Sequence, residues 1–145
     1  MAVRRADVIW EKDLVHGSGK VKVASGALPE FPISWPARSE DNSNGKTSPE
    51  ELLAAAQASC FAMALSAALA RNKTPPERLD VSAQCTFEKV GEGYKVTTME
   101  IDARGRVPNL DMPKFEELAK NAASTCPIST ALKGNVQISE TAVLL

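Results

Sequence analysis

From Leu52 to Ala70 the chain carries no charged residue. Ser48 can cap a helix just before this stretch, Pro49 suits the first helical position, and Glu51 sits where a capping-box carboxylate belongs. The pattern predicts one helix over Ser48–Ala70, ending near Arg71-Asn72-Lys73 because Pro75 and Pro76 follow. A helix apolar on nearly every side has to be enclosed on nearly every side. Roughly 19 uncharged residues approach membrane-spanning length at about 1.5 Å rise each. Nearly half of them are alanine, however, and Gln57, Ser59, Cys60 and Ser66 interrupt the run. The expectation is a buried helix of a soluble protein.

Around this helix the periodicity changes to that of strands. Residues 6–13 read as a strand, His16-Gly17-Ser18-Gly19 as turn material, and Lys20-Val21-Lys22-Val23-Ala24 as a half-buried strand returning in a hairpin. Phe31-Pro32-Ile33-Ser34-Trp35-Pro36 is extended but carries prolines, which demote it to an edge or irregular strand. The polar stretch 37–46 reads as a surface loop. After the helix, Leu79 to Glu88 alternates, with Leu79, Val81, Ala83, Cys85 and Phe87 on one face. Gly91-Glu92-Gly93 is a turn and Tyr94–Val107 the returning strand, broken by Pro108. Asp111 can cap a second helix over roughly Pro113–Ala123. Ser124-Thr125-Cys126-Pro127 restarts a short third one, ending at Lys133-Gly134, before a last strand over Val136–Leu145. The order β-β-β-α-β-β-α-α-β predicts an α+β fold, hairpins of antiparallel sheet with helices packed against them.

Length and charge narrow the classes. The chain has 145 residues, which suits a single domain over 1–145 with a substantial core. A net charge of -1 implies no nucleic-acid partner. The amino-terminal residues lack the apolar core of a signal peptide, and three cysteines are an odd number for a disulfide framework. The expected setting is cytoplasmic, with no membrane partner.

Candidate chemistry rests on thiols. The one histidine, His16, falls in a predicted turn, and no CxxC or HxxxH spacing occurs, which argues against a metal site and against Ser-His-Asp or Cys-His catalysis. Cys85, on the apolar face of a strand, reads as a structural thiol. Cys60 lies in mid-helix among small residues and is either packing or chemistry. Cys126, before Pro127 at a helix start, is placed where free N–H groups favour a thiolate, and is reactive or structural. Without histidine, a reactive cysteine needs arginine as its cation. Residue types alone do not choose among the arginines.

The segments Ser48-Pro49-Glu50-Glu51-Leu52-Leu53-Ala54-Ala55-Ala56, Ala58-Ser59-Cys60-Phe61 and Cys126-Pro127-Ile128-Ser129 together resemble the two cysteine motifs of the OsmC/Ohr family of osmotically induced and organic-hydroperoxide-resistance proteins. The resemblance covers essentially the whole chain, and Trp35-Pro36-Ala37-Arg38 looks more like the OsmC branch. It implies a thiol peroxidase, active in oxidative or osmotic stress, that reduces organic hydroperoxides in preference to inorganic ones. Cys60 would attack the peroxide and Cys126 would resolve the sulfenic acid into a disulfide. Arg38 would stabilise the Cys60 thiolate, held in place by Glu50. The resemblance also implies a two-layer α+β fold, an intertwined homodimer, no bound cofactor, and an external dithiol reductant of the thioredoxin or dihydrolipoyl type. A redox sensor or binding module that does not turn over is the rival reading.

Ten residues of helix span roughly 15 Å. Glu50 and Cys60 of one straight helix are therefore too far apart for one site, and the expectation is that Arg38 and Glu50 of one chain serve Cys60 of its partner.

Overall fold

A computed structural model of the chain describes residues 1–145. Two compact units result, Met1–Leu52 and Leu53–Leu145. The first holds a three-stranded antiparallel sheet in the order β1-β2-β3, with β1 at Ala6–Glu11, β2 at Ser18–Val23 and β3 at Phe31–Ile33. The alternation read from Lys20 to Val23 is real: Gly19 and Val21 are buried while Lys20 and Lys22 face solvent. β1 is exposed throughout, and Val8, Ile9 and Trp10 are uncovered within the chain.

The expected loop over 37–46 begins instead inside a short helix, α1, at Trp35–Ser39. Ser34 caps it, its hydroxyl accepting from the Ala37 N–H at 3.3 Å, and Pro36 lies in the first turn, where a missing N–H costs nothing. Of the two prolines read against a regular strand, Pro32 lies in β3 at the edge of its sheet, as expected, and Pro36 belongs to the helix start. A longer helix, α2, runs over Pro49–Arg71. Ser48 accepts from the Glu51 N–H at 3.1 Å as expected, but the Glu51 carboxylate accepts from the Thr47 hydroxyl at 2.9 Å, so the capping box closes on one side only.

The second unit takes in the rest of α2, a sheet of β4 (Arg78–Val90), β5 (Gly93–Arg106) and β6 (Gln137–Leu144), and the helices α3 (Met112–Thr125) and α4 (Pro127–Leu132). β4 and β5 form an antiparallel hairpin around Gly91-Glu92, where Gly91 takes a φ of 64° that side chains disfavour. β6 runs parallel to β5, not antiparallel as expected. The reason is the connection: two helices lie between the strands, a crossover long enough to return the chain to the end it left. Asp111 caps α3 through the Lys114 N–H at 2.9 Å.

One face of α2, with Phe61, Leu65 and Leu69, packs into a core shared with Met99, Ile101 and Ala103 of β5 and Phe115, Ala119 and Ala122 of α3. The opposite face is exposed and, apart from Met63, small: Ala55, Ala56, Ser59, Ala67 and Ala70. By length and composition α2 could cross a membrane, yet its bulky face is core. The chain by itself therefore encloses only half of the helix expected to be buried all round.

α3 lies close on the sheet because β5 has a glycine beneath it. A Cβ on Gly105 would meet Phe115 Cζ at 2.6 Å, and the Phe115 ring is fully buried. Gly105→Ala is expected to cost about 1–3 kcal/mol of stability by overpacking. Urea denaturation of the variant against the parent checks this.

Candidate active site

Pro127 decides where the second sulfur sits. The residue before a proline is pushed out of the helical region, and Cys126 takes φ -63°, ψ 142°, ending α3 and capping α4. Its own N–H still donates to Ala122 O at 3.0 Å, while its side chain turns to the start of α4. Pro127 has no N–H, so the first donors of α4 come from Ile128 and Ser129. They go to two different sulfurs: the Ile128 N–H donates to Cys60 and the Ser129 N–H to Cys126, the latter at 3.5 Å.

The helix α2 supplies the other half. Gln57 and Cys60 are three residues apart and share a helix face. Gln57 Nε2 donates to Cys126 Sγ at 3.3 Å and to Ser129 Oγ at 2.9 Å, and Ser129 Oγ lies 3.0 Å from the same sulfur. Cys126, Gln57 and Ser129 are buried, at 1, 0 and 3 % exposed, whereas Cys60 is half-buried and reachable. The two cysteines carry free thiols and are near enough for each to shift the other's titration. The sequence thus brings together residues 66 positions apart (126 − 60).

The pair does not ionise evenly. Burial pushes the Cys60 thiol up; the Ile128 N–H opposes this, and the neighbouring Cys126 adds to the rise. For Cys126, burial is likewise the largest influence and would raise it. The Ser129 hydroxyl and N–H, the Cys60 thiol and the Gln57 amide together outweigh burial and hold Cys126 below the ordinary thiol range. From sequence the thiolate falls on Cys60; the groups of Leu53–Leu145 taken alone favour it on Cys126.

Within Met1–Leu52 the structure brings Arg38 and Glu50 together. Arg38 stands in α1 and Glu50 in the first turn of α2, and the guanidinium grips the carboxylate with two nitrogens: Nη2 to Oε1 at 2.8 Å, and Nε to Oε1 and Oε2 at 3.1 and 3.2 Å. Glu50 is only 6 % exposed. A forked, charge-assisted pair of this kind fixes the plane of the guanidinium as well as its place.

Two members of the site, Gln57 and Ser129, did not stand out in the sequence. Gln57 reads there as one of several polar interruptions of an apolar helix. The available signal was its spacing, one turn before Cys60, and that of Ser129, three residues after Cys126 at the third position of α4. Cys85 is half-buried on β4. His16 is exposed in its turn and paired with Asp13 at 3.0 Å. No cluster of three or more His, Cys, Asp or Glu side chains offers a ligand set to a metal.

The sequence model of the OsmC-like protein family matches residues 41–141. The chain is similar to the peroxiredoxin OsmC of Escherichia coli (strain K12), 33% identical over 135 residues and 93% of each chain. It is also similar to an organic hydroperoxide resistance protein of Xanthomonas axonopodis pv. citri, 27% identical over 120 residues and 82% of each. Among solved structures it resembles the organic hydroperoxide resistance protein OhrB of Bacillus subtilis, with a TM-score of 0.71 and 26% identity over 95% of this chain and 97% of that one.

Because the two thiols interact, they titrate as a pair. The sign follows from the directions. Cys126, depressed, contributes stability above the pH at which an unfolded thiol ionises, and loses it as pH falls through its folded value. Cys60, raised, contributes stability below that pH and loses it as pH rises through its own folded value. In an Arg38→Ala background, which removes the cation assigned to the pair from sequence, Cys126→Ser is expected to abolish the lower thiolate step and Cys60→Ser to leave it. Thiolate ultraviolet absorbance against pH reads the two steps; the opposite pattern would put the charge on Cys60.

Proposed function

This chain belongs to the OsmC-like protein family, and from that premise we propose that it is a thiol-dependent peroxidase that reduces organic hydroperoxides to alcohols. Relatives named peroxiredoxin and organic hydroperoxide resistance protein support a peroxidase-like role in the family. The observation that carries the reading for this chain is a reachable thiol, Cys60, neighbouring a buried one, Cys126, whose negative form the Ser129 and Gln57 donors stabilise.

In the proposed cycle the Cys60 thiolate attacks one peroxide oxygen. An S–O bond forms, the O–O bond breaks, and the leaving alkoxide takes a proton to become the alcohol. The Cys126 thiolate then attacks the Cys60 sulfenic sulfur; the S–S bond forms, the S–O bond breaks, and hydroxide leaves to become water. An external dithiol, thioredoxin-like or dihydrolipoyl, returns the disulfide to two thiols by exchange. No cofactor is bound in this scheme. Cys60 is the attacking sulfur because it is the one a peroxide can reach.

Burial and the neighbouring sulfur work against a Cys60 thiolate, so the first step needs a cation. We assign that role to Arg38, oriented by Glu50, acting across a homodimer. Glu50 stands ten residues before Cys60 on α2, a span of about 15 Å. An antiparallel α2 pair would bring the Arg38–Glu50 pair of one copy to Cys60 of the other. The small exposed face of α2 permits so close an approach. The apolar strand face of Val8 and uncovered Ile9 gives a second copy further surface to bury. A guanidinium arriving at Cys60 would draw the pair's negative charge from Cys126 to Cys60.

Three outcomes test this. Cys60→Ser is expected to abolish consumption of cumene hydroperoxide with a dithiol donor, whereas Cys126→Ser permits one turnover and then stops; full steady-state activity in Cys60→Ser would overturn the assignment. Arg38→Ala is expected to raise the Cys60 pKa, and an unchanged thiol titration would count against Arg38. Mixing and reassociating inactive Arg38→Ala and Cys60→Ser chains is expected to recover activity that neither has alone. No recovery, with mixed dimers demonstrated, would mean that Arg38 serves its own chain.

A further inference from the structure

Gln57 is wholly buried beside the reacting sulfurs, yet the proposed cycle gives it nothing to do. Its amide nitrogen is committed twice, to Cys126 Sγ at 3.3 Å and to Ser129 Oγ at 2.9 Å, while its oxygen, Oε1, has no hydrogen-bond partner. A buried polar atom left unpaired is uncommon and calls for a compensating gain. Turning the amide over would present Oε1 to the sulfur and the Ser129 hydroxyl, an arrangement that suits a protonated thiol able to donate. The orientation present offers an N–H instead, which suits a sulfur that has lost its proton. Ser129 holds the same sulfur from beside the amide, by hydroxyl and by N–H.

We infer that Gln57 is a positioning residue that, through its amide N–H to Cys126 Sγ and Ser129 Oγ, favours the thiolate over the thiol at Cys126 whenever Cys60 is uncharged. The sulfenic acid form of Cys60 is such a state. Gln57 thereby makes Cys126 the ready nucleophile for the step in which the S–S bond forms, the S–O bond breaks and hydroxide departs. This second half rests on the peroxidase reading; the ionisation of Cys126 does not. Cys60 on α2 is the titratable group that faces Cys126. Lys120 of α3 and Lys133 after α4 line a cavity of about 300 Å³ on whose wall Ser129 also stands, and neither is among the groups that shift Cys126.

The test compares thiolate absorbance against pH in Cys60→Ser and in Cys60→Ser/Cys126→Ser; the difference isolates Cys126, and Cys60→Ser keeps a neutral side chain at the facing position. Adding Gln57→Met, of nearly equal volume, is expected to move the Cys126 midpoint upward so that about tenfold less thiolate is present near neutrality. Gln57→Asn, which retains an amide one methylene short of the sulfur, is expected to shift it the same way and decides the matter if the methionine variant fails to fold. An unchanged midpoint in a folded variant overturns the inference. In otherwise intact protein given one equivalent of hydroperoxide, Gln57→Met is expected to slow disulfide formation about tenfold while Cys60 oxidation is not slowed. Equal slowing of both steps would reduce Gln57 to packing. Failure of the parent to consume peroxide would defeat the peroxidase reading and leave the Cys126 titration to be judged by itself.

Discussion

The break that Pro127 forces between α3 and α4 is the constraint on which the second unit's chemistry depends. Had α3 continued through Cys126, the sulfur would project from a helix wall and the backbone donors beyond it would be spent within the helix. Stopping the helix one residue before a proline frees those donors, and the fold divides them, one N–H to each sulfur. The local geometry that a single imino acid imposes places Cys126 where the Ser129 hydroxyl and the Gln57 amide reach it, and these are what make one thiol more acidic than the other.

A second constraint is that α2 has two unlike faces. Its large side chains, Phe61, Leu65 and Leu69, spend themselves on the core with β5 and α3. Gln57 and Cys60 lie within reach of α4, and the remaining face is too small in side-chain volume to form a core of its own. The composition that makes the helix look like a membrane span is thus a sum over positions with different tasks. Glu50, at its first turn, has yet another, as the buried carboxylate that orients Arg38.

Much of this was legible in the residues. Ser48-Pro49 and Asp111 announced helix starts through capping chemistry that needs no distant partner, and the Lys20–Val23 alternation showed which side chains turn inward. The two cysteine motifs, read together, pointed to the pair that the structure joins. What local pattern cannot carry was missed for physical reasons. Periodicity has no sense of direction, so β6 was expected antiparallel when its two-helix crossover makes it parallel. The prolines of Trp35-Pro36 weigh against a strand and for a helix start, and only the Ser34 cap separates the two. Gln57 finds its partners 69 and 72 residues away, beyond any window in which its purpose could be seen. The acidity of Cys126 relative to Cys60 is likewise a property of donors that converge only in three dimensions.

The distance along the chain between the two thiols couples redox state to cohesion. In the folded protein they are neighbours, which is an effective concentration no unfolded chain of that length can match. A disulfide between them would close a loop of some 66 residues, and removing that freedom from the unfolded ensemble is worth about 4 kcal/mol in the chain-entropy picture. The oxidised protein would then be the harder one to unfold. By the same linkage a substitution that loosens the fold, even far from either sulfur, would make the pair easier to reduce. Packing between α2, β5 and α3 would thereby set part of such a disulfide's reduction potential.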